Sequence, residues 1–382
     1  MKVYLVLVIF IFSSCNILKT LTGGETKVDD EFFQNFDGPE HGYIFIGSSN
    51  GLQIVRTSDN TVFSDTNITS ADQITLAGNK VYFAAYNGSE TRIYRQNNID
   101  ENLEIAGVRD PDTMTSFRGD LYAVAYNSIA TDTEPVFITN DSTSVSSIGG
   151  SHNPASNYWF FGDDTTDKLI NCYENSGGSI YTVNPASGLR SLVTSASGCA
   201  SSPSAYYHSG YVFWTSGNFY FQYDIAADEL TQSSDLGASL SGIKISHQEN
   251  FYFQDGTRLF YVDVFDSTLS QTTIVASGYG PSNTAILESP DKIYFTNKDT
   301  AGANVDQLYE FDKDSLEINQ ITEFTTEKNI RFVAAAGTGF YLISDDGIEL
   351  LSFDDQNLTS IGNLLGGSIL DVKFYREEDI SI

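Results

Sequence analysis

The sequence predicts an all-β fold: a β-propeller of eight four-stranded blades in which a C-terminal strand closes blade one, with seven blades as the alternative. Three observations predict it. The 382 residues include 26 Phe, 22 Tyr and 31 Gly, a composition typical of strands and turns. A strand pattern recurs about every 40 residues between Tyr43 and Asp354. One further strand pattern, Ile369 to Phe374, follows the last unit.

The clearest copy of the repeat is Asp291 to Asp312. It contains a turn, an aromatic strand at Ile293-Tyr294-Phe295, a polar loop and a second aromatic strand that ends in Asp312. Because short polar side chains bond back to the backbone and open turns, the recurring terminal Asp or Asn is predicted to be structural and not a ring of ligands. The apolar pairs that define the units begin at Ile44, Tyr82, Tyr122, Trp159, Val212, Tyr252, Tyr294 and Tyr341.

The two ends of the chain fit together in this scheme. The first unit has strand patterns at Tyr43 to Gly47 and Leu52 to Arg56, but no inner strand precedes them. The last unit is complete by Ile361, so the alternating residues after Ile369 have no place in it. We therefore expect this C-terminal strand to become the inner strand of blade one, which hides sheet edges. The weak unit around Ser128 to Gly150 leaves seven blades open.

The longest interval between units predicts an insertion and a disulfide. We interpret Asp163 to Gly178 as an insertion between the second and third strands of blade four, with Cys172 inside it. Cys199 lies in the loop that leads to blade five, on the same face. With Cys15 set aside, an exported protein has one remaining pair, which predicts a Cys172–Cys199 disulfide. Two buried thiols are the alternative.

The N-terminus predicts export and a lipid anchor. Lys2 precedes an unbroken apolar run from Val3 to Phe12, which is too short to span a bilayer but suits a signal peptide. The following Ser13-Ser14-Cys15 resembles the lipobox of bacterial lipoproteins. The resemblance implies that Cys15 is lipidated, becomes the mature N-terminus and holds the protein on a membrane. An ordinary signal peptide with an incidental cysteine is the alternative.

These observations define a domain organisation and a location. We predict a lipoprotein signal peptide at 1–15, a flexible tether at 16–41, a single propeller domain at 42–376 and a tail at 377–382. Asn16 after the cysteine favours the outer membrane of a bacterial cell envelope, with the protein facing the periplasm or the cell exterior.

The charge and the motifs exclude several function classes. A formal net charge of -30 argues against nucleic acid, whose phosphates need clustered Lys and Arg, and against an anionic membrane surface as a partner. The sequence lacks a calcium loop, a His pair at metal spacing, a Cys-x-x-Cys-His haem motif and a Gly-x-Ser-x-Gly nucleophile motif. We therefore predict no metal, no cofactor and no catalytic residue.

A ligand is expected on the face where the loops between second and third strands meet the loops between blades, here called the loop face. Four residues there have the most chemical capacity: Arg109, Asp110, His152 and Tyr279. Packing or solvation of loops is the alternative role. The predicted function is a non-catalytic module that binds a protein or a glycan. The rival is a carbohydrate-active hydrolase or lyase with carboxylates gathered at the channel mouth.

Two units support a family resemblance. Ile293-Tyr294-Phe295-Thr296-Asn297 and Val212-Phe213-Trp214-Thr215-Ser216 resemble the Tyr-Trp-Thr-Asp repeats of low-density-lipoprotein-receptor-type propellers, which have six blades. A lipidated eight-bladed ring of this length also resembles the propeller lipoproteins of the bacterial barrel-assembly machinery. Quinone-dependent dehydrogenases are eight-bladed too, but they dock their blades with a recurring Trp, and this chain has two Trp. The resemblances imply a propeller fold.

Overall fold

The computed structural model describes most of the chain from residue 41 onwards. The described residues are 41–127, 133–138, 145–148, 157–173, 178–194, 199, 205–208, 210–232, 241–247, 250–255, 258–263, 269–273, 286–289, 291–298, 305–354 and 356–382. They lie in one compact unit, Pro39–Ile382. Among them, no helix has the length and apolar character needed to cross a membrane.

The described strands pair into eight four-stranded antiparallel sheets, each of which is a blade. Blade 1 contains β1 (Gly42–Ser48), β2 (Gly51–Arg56), β3 (Thr61–Asp65) and β32 (Ile369–Arg376); blade 2 contains β4 (Thr69–Ala77), β5 (Lys80–Tyr86), β6 (Thr91–Asn98) and β7 (Glu101–Glu104); blade 3 contains β8 (Val108–Phe117), β9 (Asp120–Asn127), β10 (Thr133–Ile138) and β11 (Ser146–Ser147); blade 4 contains β12 (Asn157–Asp163), β13 (Lys168–Tyr173), β14 (Ser179–Val183) and β15 (Arg190–Thr194). Blade 5 contains β16 (Tyr206–His208), β17 (Tyr211–Ser216), β18 (Phe219–Asp224) and β19 (Glu229–Gln232); blade 6 contains β20 (Ser241–His247), β21 (Asn250–Asp255), β22 (Arg258–Asp263) and β23 (Leu269–Thr273); blade 7 contains β24 (Ile286–Glu288), β25 (Lys292–Lys298), β26 (Asp306–Asp312) and β27 (Ile318–Gln320); blade 8 contains β28 (Ile330–Ala336), β29 (Gly339–Ser344), β30 (Gly347–Ser352) and β31 (Leu358–Gly362).

The arrangement of the blades confirms the propeller class. The inner strands of successive blades contact each other, as β4 does with β8 and β8 with β12, so they line a central channel. Outer strands such as β27 are exposed along their length. Short, exposed outer strands are the edges that a ring of separate sheets leaves.

The hydrophobic cores lie between neighbouring blades. Phe45 and Phe83 share one core between blades 1 and 2, and the rings of Trp159 and Trp214 lie 5.9 Å apart between blades 4 and 5. The repeated aromatic residue of the sequence pattern, for example Tyr294, is fully buried in such a layer. Each such side chain stabilises the fold by roughly 1.5–3 kcal/mol through burial. The aromatic repeat is therefore the scaffold of the blades.

The predicted blade assignment is wrong in blade 4. Trp159 and Phe160 lie on the inner strand β12, not on the second strand. The segment interpreted as an insertion contains the second strand, β13, with Cys172 on it. The turn between β12 and β13 has no glycine: Asp163 makes it by accepting a 3.1 Å hydrogen bond from the Thr165 N–H. The equivalent turns of blades 2 and 3 contain glycine. Because the turn of blade 4 lacks it, the sequence pattern does not mark the end of β12, and the prediction takes β12 for the second strand of the blade.

The seven-blade alternative is also wrong. The weak segment after β9 forms β10 and β11 and completes a fourth strand in blade 3. Strand β11 has two residues, Ser146 and Ser147, which pair with Phe137 and Val136. A strand of two residues is too short to show an alternation of apolar and polar residues, which explains the weak sequence signal.

The last strand joins the first. Strand β32 pairs antiparallel with β1 from Gly42↔Arg376 to Ser48↔Ile369, so the ends of the chain share blade 1. A 3-10 helix, Glu377–Asp379, follows β32. The next residue, Ile380, is buried in the core between blades 1 and 2.

The predicted disulfide is confirmed. The sulfur atoms of Cys172 and Cys199 lie 2.11 Å apart, and both residues are fully buried in the core between blades 4 and 5. The bridge therefore fastens β13 to the segment that enters blade 5.

Candidate binding site at the channel wall

Two of the four predicted ligand-face residues lie on the inner strand of blade 3. Arg109 and Asp110 are near the start of β8, where the pairing with β9 breaks between Arg109 and Thr113. The Asp110 carboxylate accepts a 3.3 Å hydrogen bond from the Thr91 N–H, and Arg109 Nη1 is 3.9 Å from Glu90 Oε2. Both side chains thus bind the loop between the second and third strands of blade 2. His152 and Tyr279 lie outside the described residues.

The inner strand of blade 2 is irregular on either side of Asp72. The pairing of β4 with β5 shifts between Thr69 and Asp72 and again between Asp72 and Thr75. Ser70 and Gln73 have φ values of 50° and 51°, in the left-handed region that non-glycine residues rarely adopt. Bulges of this kind redirect side chains and are frequent next to functional sites.

The bulges interrupt the pairing of β4 with β5. There, side chains of the closing strand β32 bind the backbone groups of β4 that have no partner on β5. The Ile74 N–H donates to Asp371 Oδ2 at 2.8 Å, and the Tyr375 hydroxyl donates to the Ile74 carbonyl at 3.3 Å. On the other side of β4, Gln73 Nε2 donates to the Pro111 carbonyl of β8 at 3.1 Å. The inner strands of blades 1, 2 and 3 are therefore cross-linked into one section of channel wall.

Charged side chains of β32 lie on this section of the channel wall. Lys373 Nζ lies 3.3 Å from Asp371 Oδ1, and 46% of the Lys373 side chain is exposed, against 20% for Asp371. Burial alone would lower the pKa of Lys373, but Asp371 and Tyr206 raise it above its usual value. Lys373 is on the inner strand of blade 1 and its side chain is half exposed, so we place it on the wall of the channel. We call Asp72, Gln73, Asp371 and Lys373 the channel-wall site.

The two carboxylates of this site have different environments. Burial, and then the charge of Asp371, raise the pKa of Asp72 to about 6. Asp371 accepts hydrogen bonds from a backbone amide and is paired with Lys373. The Asp72 carboxyl group therefore becomes neutral in mildly acidic solution, whereas Asp371 is held by a hydrogen bond and an ion pair.

A tyrosine on the opposite side of the ring affects the pKa of Lys373. Tyr206 is on β16, the inner strand of blade 5, which is four blades away from blade 1 in a ring of eight sheets. It interacts electrostatically with Lys373.

Other charged groups of the loop face form fixed ion pairs between blades 7 and 8. Lys298 Nζ is 3.2 Å from Asp306 Oδ1 and also contacts Glu327. Lys328 Nζ is 2.7 Å from Glu349 Oε1. These pairs fix the loop that leads into β28. Among the described residues, no group of three or more His, Cys, Asp or Glu side chains is placed to hold a metal ion.

A second concavity lies away from the channel, between the outer parts of blades 1 and 2. It has a volume of about 90 Å³ and apolar walls that include Leu52, Ile54 and Phe63. Ligand pockets usually have volumes of roughly 300–1,000 Å³. This cleft is therefore too small to be the main binding site.

Sequence reasoning missed Asp72, Asp371 and Lys373 as site residues. One signal was present: Asp371 and Lys373 alternate with apolar residues on the closing strand, so both charges lie on one face of an inner strand. For Asp72 no such signal exists, because its position depends on the two bulges of β4.

Comparisons with known proteins agree with the fold and define the class of this chain, a β-propeller. No protein-family model and no curated protein sequence matches it. Among solved structures, the chain is similar to the dihydro-heme d1 dehydrogenase NirN in complex with DHE, with a TM-score of 0.59 and 12% identity over 85% of this chain and 74% of that one.

Two further solved structures are less similar. One is YCF48 from Cyanidioschyzon merolae, with a TM-score of 0.45 and 10% identity over 81% of this chain and 95% of that one. The other is a putative 6-phosphogluconolactonase from Bacteroides fragilis, with a TM-score of 0.45 and 12% identity over 88% and 98%. At these identities the likeness concerns the fold and not the activity.

Proposed function

We propose that this protein is a lipid-anchored binding propeller of a bacterial cell envelope, attached through Cys15 and binding a protein or a glycan on its loop face. One observation carries the binding role: the cross-linked inner strands of blades 1 to 3 place charged and polar side chains on the channel wall in fixed positions. A preorganised set of polar groups loses little entropy when a ligand binds. The lipobox-like sequence that ends at Cys15 supports the anchor.

The anchor is tested by metabolic labelling. Cells that express the full chain are grown with radioactive palmitate, and we expect label in the wild type and none in Cys15→Ala. Cys172→Ala is the matched control and should incorporate label, because its sulfur is in a buried disulfide. An unlabelled wild type, or equal label in Cys15→Ala, would refute the anchor.

The binding role is tested separately. The full chain, purified in detergent, is applied to an array of immobilised oligosaccharides and to envelope proteins from the same cells. Saturable binding to either supports the proposal. No saturable binding to either refutes it.

The second candidate function is a carbohydrate-active hydrolase or lyase. The observation that favours it is the pair Asp72 and Asp371, since carboxyl groups in different environments can act as acid and base. Release of reducing ends from a polysaccharide by the wild type, reduced at least a hundredfold in Asp72→Asn, would support catalysis. Binding of the same polysaccharide without cleavage would refute it.

A further inference from the structure

We infer that the channel-wall site binds the hydroxyl groups of a neutral carbohydrate, with Lys373 as the principal donor. This inference rests on the proposed binding function and names its ligand class. It concerns residues of the channel wall on β4 and β32, together with Tyr206 on the opposite side.

The charge balance of the site selects a neutral ligand. The net charge of -30 repels anions at long range. Inside the channel, the ammonium group of Lys373 and the carboxylate of Asp371 neutralise each other, so neither offers an unpaired charge to an ionic ligand. Above pH 6 the site therefore has a net charge close to that of Asp72 alone, and below pH 6 it is nearly neutral.

The donors and acceptors of the channel-wall site match the hydroxyl groups of a ligand. A lysine ammonium group has three N–H donors. Because one of them points to Asp371, the half-exposed Lys373 has further donors for a ligand. Acceptors come from Asp72 and from Gln73 Oε1, which is buried and accepts no hydrogen bond from the described residues. A hydroxyl group both donates and accepts, and a sugar presents several side by side. This match of donors and acceptors is the basis on which a site distinguishes hydroxylated ligands from analogues that lack them.

The geometry of the wall is fixed before a ligand arrives. Asp371 and Tyr375 bind both polar backbone groups of Ile74, and Gln73 binds Pro111. Tyr206 on the far side adds an aromatic ring with a hydroxyl group, a combination that contacts both faces and edges of polar ligands. The site thus has a charged wall, with an aromatic side chain on the opposite side of the ring.

The test compares three forms of the full chain on immobilised neutral, anionic and cationic oligosaccharides. We expect the wild type to retain neutral oligosaccharides preferentially, and Lys373→Met to bind them at least tenfold more weakly, which corresponds to loss of a hydrogen bond to a charged group. Lys80→Met is the matched control: Lys80 lies at the start of β5, on the face opposite the loops, and bonds the Ser381 carbonyl at 2.6 Å. It should bind like the wild type.

Tyr206→Phe provides a second variant in case Lys373→Met is less stable, and the thermal unfolding of all forms is measured alongside. We expect Tyr206→Phe to weaken binding with an unchanged unfolding temperature. Equal binding by wild type and by both variants would overturn the channel site while leaving the proposed function intact. Retention of charged oligosaccharides alone would overturn the neutral character of the ligand, and retention of envelope proteins alone would overturn the carbohydrate class.

Discussion

The protonation of Asp72 depends on the fold. A solvated aspartate has a pKa near 4, but burial and the Asp371 charge raise the pKa of Asp72 to about 6. The folded protein therefore holds the Asp72 proton more tightly than the unfolded chain does. By linkage, the contribution of this group to stability is fully present below about pH 4 and falls as the pH rises to about 6.

This behaviour predicts a pH-dependent effect of Asp72→Asn. We expect the substitution to raise the urea midpoint at pH 7.5, because it removes a desolvated charge, and to change it little at pH 4. Asp59 is the control of opposite sign, since its hydrogen bonds with Arg56 lower its pKa. Asp59→Asn should therefore reduce stability slightly at pH 7.5, because it removes an exposed ion pair with Arg56. A larger gain at pH 4 than at pH 7.5 for Asp72→Asn would contradict the prediction.

At the scale of elements, the disulfide joins two blades that share an aromatic core. Cys172 on β13 and Cys199 before β16 are 27 residues apart and pack with Trp159 and Trp214. A cross-link restricts the unfolded chain and so stabilises the folded state, typically by 2–4 kcal/mol. In the folded state its position in the core keeps solvent away from the sulfur atoms.

We expect the double variant Cys172→Ala/Cys199→Ala to lose about 3 kcal/mol of unfolding free energy, measured by urea denaturation. Cys15→Ala is the control, because position 15 precedes the domain and should not affect its unfolding. In the Cys15→Ala protein, thiol titration after denaturation should find no free thiol before reduction and two after it. Two thiols before reduction would disprove the bridge.

At the scale of the whole molecule, stability depends on closing the ring. Strand β32 is the inner strand of blade 1, and its Val372 and Phe374 pack with Ile44 in the core between blades 1 and 8. On the opposite face, Tyr375 contacts Phe45 in the core between blades 1 and 2. Removal of this strand exposes two cores and the polar edge of β1.

Deletion of residues 369–382 should therefore prevent formation of a compact monomer, as judged by size-exclusion chromatography and circular dichroism. Deletion of residues 381–382 is the control; it removes the bond from the Ser381 N–H to Asn79 but leaves β32 in place, and the protein should remain folded. A synthetic peptide of residues 368–382, added to the longer deletion, should restore the compact form by strand addition. A compact monomer without residues 369–382 and without the peptide would contradict this role.

The sequence by itself determined the propeller class and the pairing of Cys172 with Cys199. These follow from local patterns: strand alternation, turn residues at regular spacing and a count of cysteines. The same kind of pattern failed in blade 4, because the turn after Asp163 is made by side-chain hydrogen bonds and contains no glycine.

The channel-wall site was decided by tertiary structure alone. Asp371 binds the amide of Ile74, 297 positions earlier in the chain, and does so because bulges in β4 turn that amide away from its ladder. Strand periodicity specifies which residues are buried, but it contains no information about a bulge or about which distant side chain will bind the freed backbone group. The blades can therefore be predicted from the sequence repeat, whereas the candidate site depends on contacts that form only when the ring closes.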